Sequence, residues 1–270
     1  MRRWILILCI CLSAPFSFAQ EGAPFQKGED VSLAIMYKWG AINTEVGTAR
    51  LKVDSLSLGG IPAYHLDCKA WTSPFFDRLY KIREDLHSWV RADDLRPLRF
   101  TRSTFEGGYT ASNDFNYDWE AGIIRADVIF ESKPPQHLEI PVEKGDQDLI
   151  SLFYSFRSLP QESYQAGAVT KVRFAIDDAV FDVYVHSSGV ENIKIRKQGR
   201  MNAWHLSCSV VQGALFDGTE QLHLWFSADG NRIPVAAKVP LKMGAVQAWL
   251  SAYSGLKYPL TALVTDERKR

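Results

Sequence analysis

The chain has 270 residues, with 31 basic and 31 acidic side chains, so its formal net charge is zero. This balance, and the lack of a basic stripe before the terminal 268–270, argue against nucleic acid as a partner. Hydrophobic residues make up 46% of the chain and aromatic residues 12%, which is ample for one large β domain or two smaller ones.

Residues 1–19 have the features of a cleavable signal peptide. Two arginines give it a positive start, an apolar run follows at 4–12, and a small-x-small cleavage site ends at Ala19, before Gln20. That run is shorter than the roughly 20 apolar residues that a spanning helix needs, and no later stretch approaches this length. We therefore expect a periplasmic or secreted, soluble mature chain, residues 20–270, with no transmembrane segment.

Strand signals dominate both halves of the remaining sequence. They are short runs of β-branched, aromatic and alternating apolar residues between turn formers. The runs lie at 31–37, 48–53, 124–130, 171–176, 180–185 and 193–197. The fourth and fifth runs meet across Asp177-Asp178-Ala179, which is the signature of a β-hairpin.

The segment between the two halves, about 146–159, is the one strongly predicted helix. Leu149, Leu152 and Phe156 recur at helical spacing and share one face, while polar residues line the other. Pro160 marks the expected end, since proline disfavours the helical conformation of the residue before it. An isolated helix of about 12 residues is unstable in water, so its apolar face must be covered by the flanking sheets.

Charged residues near both ends of this helix are expected to attach it to its surroundings. Asp146 or Asp148 is suited to cap its first turn. Asp148 and Arg157 are two and a half turns apart and cannot pair with each other, so each is expected to find a partner on a flanking strand. A second, shorter helix is predicted at 245–253.

Two short sequences recur in the same order. Residues 63–68 (AYHLDC) recur at 203–208 (AWHLSC), and residues 86–93 (LHSWVRAD) recur at 222–229 (LHLWFSAD). Self-similarity of this kind indicates repeated structural units.

We therefore predict one β-rich domain over 20–270, made of two internal repeats, about 28–140 and 168–253, which the central helix joins.

The cysteines of the two repeats are predicted to be structural. A His-x-x-Cys pair resembles half a zinc site, but on a strand the two residues point to opposite faces and cannot close on one ion without a bulge. We therefore predict no metal site and no cofactor, with Cys68 and Cys208 packed as small apolar residues. Since the two occupy matching strands, a disulfide between them is the alternative.

The repeated His-x-Trp pairs are the main candidates for ligand binding. His87 and Trp89 share one strand face, as His223 and Trp225 do, and apolar residues occupy the opposite face. Such a pair suits stacking on a sugar ring or contact with an acyl chain, although a half-buried pair at the edge of a core has the same pattern.

Two residues of the central helix, Tyr154 and Arg157, complete the candidate ligand-binding set.

Several stretches together resemble a bacterial exported family known only as domain of unknown function number 3108. They lie at 28–40, 46–49, 148–157 and 224–235. The resemblance implies a secreted or periplasmic β-rich protein with no established activity and no catalytic residues to transfer. By a looser fold analogy, long antiparallel strands and a covering helix are similar to periplasmic lipoprotein carriers, which hold acyl chains in an open half-barrel under a helical lid.

We accordingly predict a mainly β fold, with long antiparallel strands in two pseudo-repeated halves that form an open barrel or half-barrel around one central amphipathic helix. The sequence has no Gly-x-Ser-x-Gly, His-Glu-x-x-His or phosphate-binding glycine motif, so we expect a non-enzyme. The favoured function is a binding or carrier module for a lipid or cell-envelope amphiphile. The alternative is a structural or interaction module whose partner is an envelope protein, and a glycan or lipid hydrolase ranks last.

Overall fold

A computed structural model describes residues 22–196, 198–211, 222–241 and 243–264. The predicted signal peptide, 1–19, lies outside these residues. None of the helices in the described ranges combines the length and apolar character needed to cross a membrane.

The first half of the chain folds into eight consecutive strands. They are β1 (Asp30–Trp39), β2 (Ile42–Leu58), β3 (Ile61–Thr72), β4 (Ile82–Arg91), β5 (Pro97–Glu106), β6 (Tyr109–Asp118), β7 (Ile123–Phe130) and β8 (Gln136–Pro141). A single 3₁₀ turn, Phe76–Arg78, interrupts the β3–β4 connection.

The second half begins with a short strand and the α-helix and then returns to strands. Its elements are β9 (Gln147–Asp148), α1 (Leu149–Ser155), a 3₁₀ turn (Gln161–Tyr164), β10 (Val169–Ile176), β11 (Ala179–Ile195), β12 (Gly199–Val211), β13 (Leu222–Ser227), β14 (Pro234–Pro240), β15 (Ala245–Ser254) and β16 (Leu263–Val264).

These strands form one long curled sheet. Its order is β8-β7-β6-β5-β4-β3-β2-β1-β15-β14-β13-β12-β11-β10-β9, with β16 added beside β12. The β1–β15 pair joins the two meanders, and among the described strands only β9 and β10 pair in parallel. The predicted fold class, mainly antiparallel β in an open barrel-like sheet with one helix, is confirmed.

The curl of the sheet brings its two arms together around α1. Ser88 of β4 donates a hydrogen bond of 2.6 Å to Asp148, next to the helix, and Arg102 of β5 lies 3.0 Å from Asp177 in the β10–β11 turn. One apolar cluster packs against Ile150 on α1 and another against Leu152. The helix is therefore enclosed by the sheet instead of lying on its surface.

The helix is shorter than predicted, and its polar side is also buried. Asp148 caps it, accepting hydrogen bonds from the amides of Ile150 and Ser151, while Ser151 Oγ accepts from the Asp148 amide. This capping box fixes the start at Leu149, so 146–159 was too long. Ser151 and Tyr154 lie on the side of the helix that was expected to be polar, and both are buried because the curled sheet packs on both sides of α1.

The second predicted helix, 245–253, is wrong. These residues form β15, which pairs with β1 on one side and β14 on the other. Hydrogen bonds to two neighbours outweigh the helix propensity of its alanines. The predicted strand at 193–197 is also only the end of β11, which continues past a bulge where Gly189 adopts φ 84°.

The other predicted strands, at 31–37, 48–53, 124–130, 171–176 and 180–185, lie within β1, β2, β7, β10 and β11. The predicted hairpin across Asp177-Asp178-Ala179 is confirmed, but its turn is one residue shorter, because Ala179 already pairs with Ile176.

Candidate functional site

Three rings at the first repeated sequence form a cluster that we call the first histidine stack: His65 on β3 with His87 and Trp89 on β4. His65 lies opposite Trp89 in the strand register, and their rings stack at 4.8 Å with an interplanar angle of 11°. Nε2 of His65 lies 3.0 Å from Nδ1 of His87. Because residues two apart on a strand share a face, β4 presents His87 and Trp89 together, as predicted.

The second histidine stack has the same construction: His205 on β12 with His223 and Trp225 on β13. His205 lies opposite Trp225, and their rings stack at 4.4 Å and 8°. Nε2 of His205 lies 3.0 Å from Nδ1 of His223.

Both stacks sit beside the same irregularity of the sheet. The register shifts after Trp89 in the β4–β5 pair and after Trp225 in the β13–β14 pair. A shared ring arrangement beside a shared bulge supports the proposal that the two halves are internal repeats.

Carboxylates distinguish the two stacks. In the first, His87 Nε2 lies 2.8 Å from Asp85 Oδ1, and His87 Nδ1 lies 3.5 Å from Asp67 Oδ2. These three side chains offer ligand atoms that all lie within 4.8 Å of one another, which is the kind of grouping that holds a metal ion. In the second, Glu191 contacts His205 Nδ1 at 2.7 Å and accepts from the Trp225 indole at 2.9 Å.

The stacks lie on the sheet face that points away from the core. Leu66, Leu86 and Val90, which alternate with the residues of the first stack, are buried in the main apolar cluster. Partial burial, together with the neighbouring histidine, lowers the pKa values of His65 and His223. Both imidazoles are therefore neutral at pH 7.

The structure does not bring the predicted ligand-binding residues into one pocket. His87 and Trp89 stand on β4, and His223 and Trp225 stand on β13, with five strands between them in the sheet. The sequence pattern identified each pair correctly but contained no information on the distance between the pairs.

The two helix-side candidates lie in the interior. Tyr154 and Arg157 are each 1% exposed, and the Arg157 guanidinium is held by Glu29. Burial raises the pKa of Tyr154 far above its ordinary value. Within the described residues the Tyr154 hydroxyl forms no hydrogen bond, and neither does Nε of Arg157. In this conformation both side chains support the fold and are closed to a ligand.

The helix charges find separate partners, as predicted. Asp148 accepts from Ser88 on β4, and Arg157 pairs with Glu29, directly before β1. Burial raises the pKa of Asp148 to about 6, against the opposing effect of its hydrogen-bond donors.

The cysteines lie apart. Within the described part of the chain both Cys68 and Cys208 are free, and they pack against different apolar clusters. They stand on separate strands of one sheet, β3 and β12, and both thiols are free, so the disulfide alternative is wrong in this structure. Burial raises the pKa of each thiol to about 12.

A cleft that the sequence did not predict lies where the end of β11 crosses β1, β2 and β15. We call it the cationic cleft. Its volume is about 350 Å³, and its lining residues are Met36, Asn43, Lys194, Arg196, Gln247 and Trp249. A smaller cavity of about 90 Å³ adjoins it and shares Met36, Arg196 and Trp249.

Local strand geometry positions the two cations. Ile195 is buried in the core, so its neighbour Lys194 points to the opposite side of β11, and Arg196, the first residue of the β11–β12 turn, is exposed as well. The β11–β12 turn is fixed over β15 by a hydrogen bond of 2.9 Å from Gln198 Nε2 to the carbonyl oxygen of Ser251. This contact places both cations beside Trp249.

The charge of the cleft is predominantly positive. Lys194 and Arg196 are exposed and form no ion pair within the described residues, while one acid, Glu45, lines the smaller cavity. Two adjacent unpaired cations beside an indole and a thioether suit a ligand with an anionic head and an apolar body.

The wrong helix prediction for 245–253 concealed this site. Gln247 and Trp249 share a face only in a strand, because residues two apart on a helix point to nearly opposite sides. The only other sign of the cleft in the sequence was the alternation of Lys194 and Arg196 with isoleucines. That pattern by itself indicates a half-exposed strand and not a binding site.

The comparisons with known proteins agree with this architecture. The chain is similar to a crystal structure described as a β-barrel-like protein of the domain of unknown function DUF1849 from Brucella abortus, with 10% sequence identity and a TM-score of 0.56 over 84% of this chain and 96% of that chain. At this identity the likeness concerns the fold alone. No curated protein matches the chain.

The family model described as "Protein of unknown function (DUF3108)" matches residues 34–251, which include both histidine stacks, the helix and all six lining residues of the cationic cleft. The chain therefore belongs to the DUF3108 family.

Proposed function

We propose that this protein is an exported, non-catalytic binding or carrier module that holds an anionic amphiphile of the cell envelope in the cationic cleft. The observation that carries the proposal is the pairing of Lys194 and Arg196 with Trp249 in a cleft of about 350 Å³. Small-ligand sites begin at about 300 Å³ and combine apolar walls with a few charged or polar groups.

The proposed binding mode places the anionic head at the two cations. The amides of Asn43 and Gln247 supply further hydrogen-bond donors, and Met36 and Trp249 supply apolar contact. A ligand of this kind lies outside the sheet, because α1 and its apolar clusters fill the interior. The helix is then a plug, and the lid of the lipoprotein-carrier analogy has no part in this mechanism.

The first test is native mass spectrometry of residues 20–270 purified from a bacterial periplasm, followed by extraction and identification of bound molecules. The second titrates the chain with dodecyl phosphate and with dodecyl maltoside, which have the same tail and differ in head-group charge. We expect one dodecyl phosphate per chain and at least tenfold weaker binding of the maltoside. Equal affinity for the two detergents would contradict an anion-selective cleft.

Matched variants locate the site. Lys194→Gln combined with Arg196→Gln should weaken dodecyl phosphate binding at least tenfold. Arg200→Gln removes an exposed cation from the same hairpin, one that bonds Asn192 and does not line the cleft, and should leave the affinity unchanged. If the Arg200 variant weakens binding as much as the double variant, dodecyl phosphate is attracted by the positive charge of the whole hairpin and does not bind specifically in the cleft.

An exposed apolar group supports the alternative, docking to an envelope protein. Trp39 and Ile42 flank the β1–β2 turn, and Leu241 and Met243 lie in the adjacent β14–β15 turn, with Trp39 50% and Met243 63% exposed. The Tyr37 hydroxyl donates to the Met243 carbonyl oxygen at 2.9 Å and holds the two turns together. This reading is favoured if the chain carries no lipid, ignores both detergents, and loses one reproducible periplasmic cross-link when Trp39 and Met243 are changed to Ser.

A further inference from the structure

A group of metal-ligating side chains lies beside the first histidine stack, on strands that do not line the cationic cleft. Asp67 of β3 lies directly opposite His87 of β4, and Asp85 precedes His87 by two residues on the same face. One atom from each side chain falls within 4.8 Å of the others. The sheet register therefore presents two carboxylates and an imidazole at one point.

The contacts within the group bring these donors close before any ion arrives. His87 Nε2 is 2.8 Å from Asp85 Oδ1, and His87 Nδ1 is 3.5 Å from Asp67 Oδ2. Nε2 of His65 lies 3.0 Å from the same Nδ1 and adds a second imidazole. The side chains of Asp67 and His87 are 18% and 23% exposed, so the group is partly shielded from water and still open to an ion.

We propose that Asp67, Asp85 and His87 bind a divalent transition-metal ion of the zinc class through Nε2 of His87, the nitrogen that faces Asp85, with His65 at Nδ1 as the residue that orients the ring. Imidazole nitrogen favours zinc, nickel and copper over magnesium and calcium, which prefer all-oxygen sites. Zinc binds His nitrogen and carboxylate oxygen at about 2.0–2.2 Å, so side-chain rotation must draw the donors together around the ion.

One cation already competes for this group. Lys69 Nζ lies 3.3 Å from Asp85 Oδ2 and offsets part of the negative charge that attracts a metal ion to this carboxylate. Two further cations of β2 lie near Asp67: Arg50, which Asp30 engages with contacts of 2.9 and 2.5 Å, and Lys52, which lies opposite Asp67 in the strand register and 4.0 Å from the same Asp30 carboxylate. Removing the Lys69 charge should therefore tighten metal binding.

The second histidine stack is an internal control. It repeats the histidine pair and the tryptophan, but Ser207 stands where the first stack has Asp67, and the sequence has Gln221 where the first has Asp85. Its carboxylate, Glu191, is shared between His205 and the Trp225 indole. The stack alone is thus common to both repeats, and only the first repeat adds two acids around a histidine.

The test is calorimetric titration of metal-free residues 20–270 with zinc chloride, with magnesium and calcium chlorides for comparison. We expect one zinc ion per chain, a dissociation constant in the micromolar range or below, and no saturable heat from magnesium or calcium. Cobalt supplies a second readout, through the visible absorbance of the bound ion. The proposal is overturned if zinc gives no saturable heat up to millimolar concentration.

Variants assign the ligands. Asp67→Ser and His87→Asn should each weaken zinc binding at least tenfold, and Lys69→Gln should strengthen it. His223→Asn changes the equivalent histidine of the second stack and should leave zinc affinity unchanged. Zinc binding that survives both first-stack changes, or falls as much in the His223 variant, contradicts the assignment; thermal unfolding of each metal-free variant confirms that it is folded.

The proposed metal site and the cationic cleft share no residue. Lys194 and Arg196 take no part in zinc binding. Variants of these two residues that no longer bind detergent should therefore still bind zinc. Conversely, Asp67→Ser should leave dodecyl phosphate binding unchanged, which separates failure of one proposal from failure of the other.

Discussion

Glu29 and Arg157 form a two-point ion pair inside the protein, although 128 positions separate them in the chain. The guanidinium nitrogens lie 2.6 and 2.9 Å from the two carboxylate oxygens, and a further bond of 2.9 Å reaches the carbonyl oxygen of Asn231. Both side chains are 1% exposed. The pair therefore ties the segment before β1, the end of the helix and the β13–β14 loop to one point.

Removing one member of this pair should destabilise the fold strongly. Glu29→Gln leaves the Arg157 charge buried without its counterion, and Arg157→Met does the same to Glu29. Loss of one partner from a buried pair costs about 3–5 kcal/mol. We expect losses of this size in the free energy of unfolding, measured by urea denaturation at pH 7.

The double variant Glu29→Gln with Arg157→Met completes a double-mutant cycle with the two single variants. It leaves no unpaired charge, so its loss should be clearly smaller than the sum of the two single losses. Additive losses would mean that the two side chains act separately and that the pair is not the point of attachment.

The Asp148 carboxyl should make stability depend on pH in an unusual direction. Burial raises its pKa from 3.8 to about 6, so folding favours the protonated form. The resulting stabilisation is complete below pH 3.8 and is lost as pH rises through about 6, which amounts to about 3 kcal/mol. Asp148→Asn resembles the protonated acid, so wild type should lose most of this amount relative to the variant between pH 4 and pH 7.

Asp118→Asn is the matched control for this measurement. Hydrogen bonds from the Ala121 amide and Arg125 hold the Asp118 pKa below its ordinary value. Its effect is therefore confined to pH values below about 4, and between pH 4 and pH 7 the difference from wild type should be constant. A constant difference for Asp148→Asn over the same range would contradict the raised pKa.

Both cysteines should be unreactive in the folded protein. Burial raises their thiol pKa values to about 12, which removes the reactive thiolate at pH 8. Iodoacetamide should leave the intact mass of residues 20–270 unchanged in buffer and add two groups in urea. Ser55→Cys, at an exposed strand position, should accept one group in buffer. A mass two protons too low in the untreated chain would instead reveal a disulfide.

The sequence predicted strands and local faces well, because alternation is a property of neighbouring residues. It placed His87 beside Trp89 and His223 beside Trp225, and it predicted the hairpin between the strands at 171–176 and 180–185. It failed where burial or secondary structure depends on what packs against both sides of a segment. The polar side of α1 is buried because the sheet curls around it, and no local pattern in 149–155 encodes that curl.

The candidate sites depend on contacts that are distant in sequence. Arg196 and Trp249 meet because the β11–β12 turn crosses β15, which the helix prediction at 245–253 had removed from the sheet. Asp67 and His87 were both visible in the repeated sequences, but their direct opposition follows from the β3–β4 register. That register could not be predicted without knowing where the two strands begin and end.

The β14–β15 turn depends on one glycine that cannot be replaced without moving β1. Gly244 has φ 85°, and a Cβ atom there would lie 2.2 Å from the carbonyl oxygen of Lys38. Gly60 has a similar φ of 87°, but a Cβ atom added there would have no neighbouring atom within 4 Å. An alanine at position 60 therefore measures the backbone strain alone. Gly60→Ala should cost about 1–3 kcal/mol in the free energy of unfolding. Gly244→Ala should cost clearly more in urea denaturation, since Lys38 must shift; equal losses would show that the turn yields without disturbing β1.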